Sequence, residues 1–409
     1  MSPSQTPYGR LSQSLLVLRS WSILWIVAYH LMGNTRGYVV LEDAIATLSQ
    51  GSFKNSVESA LALFLSAGAT GVNVFLIISG FGLTASWWKK YGSRGEKIPL
   101  MAFWKKRFVR IFPPFWAAVA IAIILFFLNP AYAPFGQNVW HAGGLSSVFA
   151  IFTTLTTLRN FVLSHYYFLN GAWWYVGLSI QLYLVFPLLV RFGQRYGWLK
   201  LLIASLLFSL TYRTVFLFSG LDTDQTLIPL AFFPSRLFEF TFGIYLAATT
   251  LQQTPLQQTS LQRISTSRLN RWLQRSLPTL KAVPLSAVIS LTGLSFKWLP
   301  NPALNVFSEA IIGVGLFYTL VGLAQIRRLQ TNRFFGALGR HSYGIYLTHM
   351  NAYLVLWPLA ADWIPSYWLR FGAVAIACCA VGIFFEKSFS LCYAAILSMY
   401  EAKGFGSSL

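Results

Sequence analysis

Long apolar runs recur from one end of this chain to the other, at approximately residues 13–32, 62–86, 111–128, 172–191, 199–219, 229–250, 282–299, 304–325, 341–360 and 367–395. Each is close to the ~20 residues that a helix needs to cross the hydrocarbon core of a bilayer. Ten such segments cannot share one water-soluble core, because too little polar sequence remains to cover them. Of the 409 residues, 56% are hydrophobic and only 10% are charged, whereas soluble domains carry about a quarter charged residues. The expected fold is all-α and polytopic, with about ten transmembrane helices in a single domain over residues 1–409. A further apolar stretch, 145–163, is rich in Ser and Thr and carries Arg159. It is expected to lie in, or dip into, the interface.

The formal charge is +20, from 31 Lys and Arg against 11 Asp and Glu. No groove-reading module accompanies this excess, so nucleic acid is not an expected partner. Basic loops beside anionic lipid account for it. With the N-terminus inside, the basic segments 88–110, 191–200, 251–281 and 327–340 all fall on one side, which predicts that both termini are cytoplasmic. An eleventh span at 145–163 would invert everything after it and spoil the alternation. The Gln- and Ser-rich stretch near 251–281 reads as a polar cytoplasmic linker between six spans and four. The polar N-terminus precedes an apolar run that is too long for a signal peptide and lacks a small-residue cleavage site, so a retained first span is expected. A multi-pass protein of a bacterial-type plasma (inner) membrane fits these features. Cys378, Cys379 and Cys392 share one apolar segment, which suits packing and neither a disulfide framework nor a metal site. Trp87, Trp88, Trp116, Trp173 and Trp174 fall near span ends and read as an interfacial belt.

The first run, LRSWSILWIVAYHLM at 18–32, holds two ionisable groups, Arg19 and His30. Eleven residues advance a helix by about 1100°, so the two side chains share a face about 16 Å apart. They can line one corridor without touching. An ionisable side chain within a span marks a functional site by default, and an imidazole there suits a general base or proton carrier near neutral pH. A neutral histidine donating to a carbonyl is the plainer reading. Two further segments stand out. GATGVNVFLIISGFGLTASWW, 68–88, offers Gly68, Gly71, Gly80 and Gly82 for close helix approach, and the hydroxyl of Ser79. In FWKKRFVRIFPPFW, 103–116, Arg107 and Arg110 project from one helical face just before Pro113 and Pro114. Two guanidiniums on one face suit a phosphate-rich ligand, whereas Lys89, Lys90, Lys105 and Lys106 need no more than the inside bias.

Arg19 and His30 with ten residues between them, the GVNVFLIISGF segment, and Arg107-x-x-Arg110 followed by prolines together resemble the acyltransferase 3 family of integral membrane proteins. NGAWWYVGLSIQLYLVFPLLV, FFPSRLFEFTFGIYLA, FGALGRHSYGIYLTHM and FFEKSFS resemble its later segments in the same order. The resemblance implies transfer of an acyl group, acetyl in many members, from acyl-CoA to a hydroxyl of a glycan, lipid or small acceptor. On that resemblance His30 matches the family's essential histidine, and Arg19, Arg107 and Arg110 its essential arginines. Acyl-CoA is then a co-substrate and no resident cofactor is implied. His30 could act as a base or carry the acyl group covalently.

One departure matters. Many members carry a glutamate where Ser179 stands in WWYVGLSIQLY. Ser79, Ser179 and His349 are candidate supporting residues, with His349 equally readable as a satisfied core histidine. Glu239, three residues after Arg236, is expected to pair with it. Glu386 beside Lys387 reads as a packing or interface feature, and Glu309 has no evident partner. Two other functions stay compatible with these residues: a carrier of a small polar molecule or lipid-linked glycan, which the missing glutamate favours, and an inactive scaffold. The acceptor and the oligomeric state are not legible.

Overall fold

The computed structural model describes residues 7–39, 41–48, 53–92, 98–219, 231–251, 280–299 and 301–402, with residue 96 besides. Almost all of the 251–281 linker lies outside the described residues. Among those described there are sixteen α-helices and no strands. They are α1 (Pro7–Thr35), α2 (Leu41–Leu48), α3 (Phe53–Ser66), α4 (Gly71–Lys90), α5 (Leu100–Leu128), α6 (Gln137–His141), α7 (Gly144–Leu155) and α8 (Trp174–Tyr196). The chain continues through α9 (Trp198–Leu217), α10 (Phe233–Leu251), α11 (Val283–Trp298), α12 (Pro302–Leu323), α13 (Arg327–Thr331), α14 (Arg333–Arg340), α15 (Ser342–Leu359) and α16 (Tyr367–Ala402).

Every one of the ten expected spans is occupied by a helix. Eight helical runs among the described residues are long and apolar enough to cross a membrane. The two expected spans that fall short of that measure are α10 and α15, and each holds polar side chains: Arg236 and Glu239 in the first two turns of one, His349 and Asn351 in the middle of the other. The 145–163 stretch is a short helix, α7, followed by a 3-10 turn at Leu158–Phe161. The helices also outrun their apolar cores. α5 begins at Leu100, so the basic stretch expected in a loop is its first three turns. Pro113 and Pro114 lie inside that helix, where each removes a backbone donor.

Local chemistry sets several boundaries. Gly197 adopts φ +101°, which lets α8 reverse directly into α9. Asn301 caps α12 by accepting from the amides of Ala303 and Leu304 at 3.1 and 3.4 Å, with Pro302 at the first helical position. Asn332 caps α14 in the same manner.

α10 is the centre of the bundle, buried from Pro234 to Leu251. It crosses α4 with the backbones nearly in contact. A Cβ on Gly80 would fall 2.0 Å from the Phe240 carbonyl oxygen, and one on Gly243 would fall 2.0 Å from that of Ile77. Gly68 and Gly71 likewise sit against the Trp25 and Ser22 carbonyls of α1. Gly82 differs from expectation: open space surrounds it. Two apolar clusters fill the interior, one around α4, α8, α10 and α12, the other around α1, α5, α15 and α16. α1 stands between them, giving Leu18 and Ile26 to the first and Ile23, Val27 and Leu31 to the second. Large side chains such as Phe127, Leu207, Leu291, Leu369 and Phe384 point outward, as a bilayer requires and water would penalise.

Four of the buried charges form one network, whereas, among the described residues, buried Arg159 donates only to the Tyr166 and Asn170 carbonyls. Arg236 lies 2.8 Å from Glu309 and 3.7 Å from Glu239, and Arg213 lies 3.2 Å from Glu239. Lys297 reaches Glu309 at 2.8 Å, and Asn73 donates to it at 2.8 Å. Glu309 thus has two cationic partners, which sequence spacing could not reveal because they come from other helices. Of the five tryptophans read as a belt, Trp173 and Trp87 are instead core residues at 1% and 4% exposure. The Trp173 indole donates to the Leu347 carbonyl at 3.0 Å.

Candidate active site

A cavity of about 530 Å³ opens between the two apolar clusters. α1 contributes Arg19, α4 contributes Ser79, α5 contributes Arg107 and Arg110, and α8 contributes Ser179. Five residues singled out in sequence, spread over 160 positions, therefore meet in one space. The reason is local in each case. The unbroken α1 carries Arg19 at the cavity wall, and the i,i+3 spacing in α5 turns both of its arginines the same way.

Arg110 is exposed, and Arg19 and Arg107 are half-buried. None of the three forms an ion pair among the described residues. Arg107 stacks over Phe103 at 5.5 Å, and its buried Nε has no hydrogen-bond partner. An unneutralised cluster of guanidiniums in a cavity is costly unless an anion enters it. The cavity's carboxylate is Glu386, from α16, whose Oε2 accepts from the Gly344 amide at 2.9 Å and lies 3.8 Å from His341 Nδ1. Glu386 lines the cavity, and its bond to the Gly344 amide joins α16 to α15, in keeping with the packing role that sequence suggested.

Four tyrosines, Tyr175, Tyr183, Tyr343 and Tyr346, add to the polar lining, with Arg340 and with Lys106, which sequence had assigned to the inside bias alone. Ser79 Oγ and the Tyr183 hydroxyl are hydrogen-bonded at 3.2 Å. The Tyr343 hydroxyl donates to the Ile111 carbonyl at 2.9 Å. Tyr175 and Tyr183 gave no signal in sequence beyond their aromatic type, since a tyrosine in a span reads as packing. Ser179 donates to the Tyr175 carbonyl at 2.8 Å, a bond within its own helix.

His30 does not line the cavity. It stands four residues beyond Ile26, which does, and so about 6 Å further along α1. There it meets His349 of α15, the ring centroids 5.2 Å apart. The Tyr346 ring, which does line the cavity, is 5.9 Å from that of His349. His349 is fully buried, with Nδ1 2.8 Å from the Tyr346 carbonyl and 3.2 Å from that of Ile345. A carbonyl only accepts, so Nδ1 carries the proton and Nε2 carries the lone pair. Nε2 is buried and has no partner. The pairing of His30 with His349 was not readable from either segment alone. Among the described residues no group of three or more His, Cys, Asp or Glu is placed to hold a metal ion.

The comparisons with known proteins agree with this architecture. The chain is 24% identical over 188 residues to the regulator of hypoxia-inducible factor 1 of Caenorhabditis elegans, a match covering 44% of this chain and 34% of that protein. It is 29% identical over 135 residues to the O-acetyltransferase OatA of Staphylococcus aureus, covering 32% of this chain and 21% of that protein. The chain thus spans about a third and about a fifth of the length of these relatives. No solved structure matches it. The profile of the family described as an acyltransferase domain matches residues 13–387, nearly the whole of the bundle and every residue of the cavity except Phe389 and Ser390. The chain is a multi-pass membrane protein and belongs to the acyltransferase 3 family.

Proposed function

We propose that this chain is an integral membrane O-acyltransferase, moving an acyl group, acetyl in the simplest case, from acyl-CoA to the hydroxyl of a glycan, lipid or small acceptor. The observation that carries the reading is the convergence of Arg19, Arg107 and Arg110 on one cavity that ends beside the His30–His349 pair. The phosphates of CoA suit a mouth of unpaired guanidiniums. The basic faces of α5 and α14 then lie at the cytoplasmic surface of the plasma membrane, where acyl-CoA is made.

The reaction needs a base. In the direct route the acceptor oxygen bonds to the acyl carbon, the carbon–sulfur bond breaks, and the hydroxyl proton passes through His30 to the CoA thiolate. In the covalent route a His30 nitrogen bonds to the acyl carbon as the carbon–sulfur bond breaks and CoA thiolate leaves, the ring proton passing to the thiolate; the acceptor oxygen then displaces the imidazole, which regains a proton from the hydroxyl. In both routes His30 exchanges a proton during the reaction. The unpartnered Nε2 of His349 can receive that proton, so a second imidazole serves where the family's glutamate is replaced by Ser179. Arg19, Arg107 and Arg110 hold the donor, and Ser79 with Tyr183 borders its path.

The test is thiol release from acetyl-CoA by protein in nanodiscs, for wild type, His30→Ala and Arg110→Ala. Release lost in His30→Ala and weakened in Arg110→Ala supports the reading. No release above a mock preparation, with no binding of CoA, would leave a carrier or an inactive scaffold as the better description.

A further inference from the structure

A second cavity, of about 210 Å³, lies at the level of His30. Ile26 lines the first cavity, whereas Tyr29, one residue before His30, lines the second. The Tyr29 and His30 ring centroids are 4.9 Å apart. The two cavities therefore approach the same turn of α1, one from the arginine side and one from beyond it. The second has room for about seven waters at ~30 Å³ each, or for one sugar-sized ring.

Its walls combine aromatic faces with one cation. Tyr38 stacks on Tyr29 at 4.5 Å, Trp298 closes one side, and Ser66 and Thr70 border it. The cation is Lys297. Its Nζ donates to Glu309 Oε1 at 2.8 Å. The other oxygen of Glu309 is already held by Arg236 and Asn73, each at 2.8 Å. Glu239 is held by Arg213 and Arg236. Arg213, Arg236 and Lys297 thus share the two carboxylates of Glu239 and Glu309, which leaves one positive charge in excess. The other four side chains are at most 8% exposed, whereas that of Lys297 is 31% exposed. The surplus charge reaches open space at this cavity through Lys297. An ammonium has three N–H donors, and Glu309 uses one.

We propose that this cavity is the acceptor site, and that it takes a hydroxyl compound bearing an anionic group, a carboxylate or a phosphate ester on a sugar-sized ring. The anion sits on Lys297, the ring lies against Trp298 and Tyr38, and a hydroxyl points past Tyr29 to His30. This rests on the acyltransferase reading. The ion network then has a purpose besides joining helices: it holds Lys297 in place while keeping its charge uncancelled.

The test is the thermal stability of the protein in nanodiscs with methyl glucuronide, glucose 1-phosphate, methyl glucoside or inorganic phosphate, since a ligand that binds only the folded state raises the melting temperature. The two anionic sugars should raise it and methyl glucoside should not. A response to glucuronide alone identifies a carboxylate site, and one to glucose 1-phosphate alone a phosphate-ester site. The rise should persist in Arg110→Gln and in Lys297→Arg and vanish in Lys297→Gln. An equal rise with methyl glucoside, no rise with either anionic sugar, or a rise with inorganic phosphate alone that Arg110→Gln removes would each overturn the proposal. The wild-type comparison decides the matter even if Lys297→Gln does not fold. Thiol release from acetyl-CoA, followed on the same nanodiscs, separates the two readings. If it is absent while the anionic sugars bind, the acyltransferase reading fails; if it is present while they do not, only the acceptor class does.

Discussion

His30 of α1 and His349 of α15 face each other with ring centroids 5.2 Å apart and planes tilted by 43°, and the carbonyl of Tyr346 fixes the tautomer of the second so that its free lone pair is on Nε2. The His349 imidazole is thus a base placed beside His30. In His349→Gln the side-chain amide can still donate to the Tyr346 carbonyl but cannot take up a proton. Thiol release should fall about 10²-fold or more, the usual worth of a positioned base, with the melting temperature nearly unchanged. Activity within about threefold of wild type would remove His349 from the chemistry.

Arg107→Gln and Arg110→Gln should raise the KM for acetyl-CoA by roughly 10- to 100-fold, as expected for loss of a hydrogen bond to a charged group. The turnover rate should change less. High salt should weaken CoA binding in wild type and have less effect in the variants. Titration of acetyl-CoA at two salt concentrations reads both. An unchanged KM would place the donor elsewhere.

Ser179 donates to the carbonyl one turn before it in its own helix, a bond of small net value. Ser179→Ala should therefore keep thiol release within about threefold of wild type. A loss approaching that of His30→Ala would mean that the serine hydroxyl acts directly.

The α4–α10 crossing leaves no room for a methyl group at Gly80, while Gly82 two residues on faces open space. Gly80→Ala should destabilise the protein by about 1–3 kcal/mol or more, the range for overpacking a filled interior, and Gly82→Ala should not. Melting in detergent compares the two directly; equal effects would show that the crossing is not the tight contact described.

Glu309 neutralises Arg236 and Lys297 together. Glu309→Ala strands Lys297 and leaves Arg213 and Arg236 to share Glu239, and should cost about 3–5 kcal/mol, as breaking a buried pair does. Its melting temperature should fall well below that of Lys297→Gln, which leaves Arg236 with both carboxylates. Equal melting temperatures would argue that water already solvates the network.

The sequence by itself determined the class of fold, the places of ten helices and the identity of the basic faces. These follow from the solvent that each segment can tolerate, because an apolar run of ~20 residues has one low-energy conformation in a bilayer. It also marked Arg19, His30, Arg107 and Arg110, since an ionisable group in or beside a span must be solvated by something. Only the tertiary structure decided which of these groups meet. Helix periodicity relates residues within one segment, whereas His30 with His349, Glu309 with Lys297 and Arg236, and Gly80 with Phe240 are contacts between helices, set by how the bundle packs. Glu386 and the cavity tyrosines were missed for the same reason: their chemistry lies in what stands opposite them. Trp173 and Trp87, read as belt residues from their place near span ends, went to the core because packing against α15 and α9 offered the indoles more than the interface did.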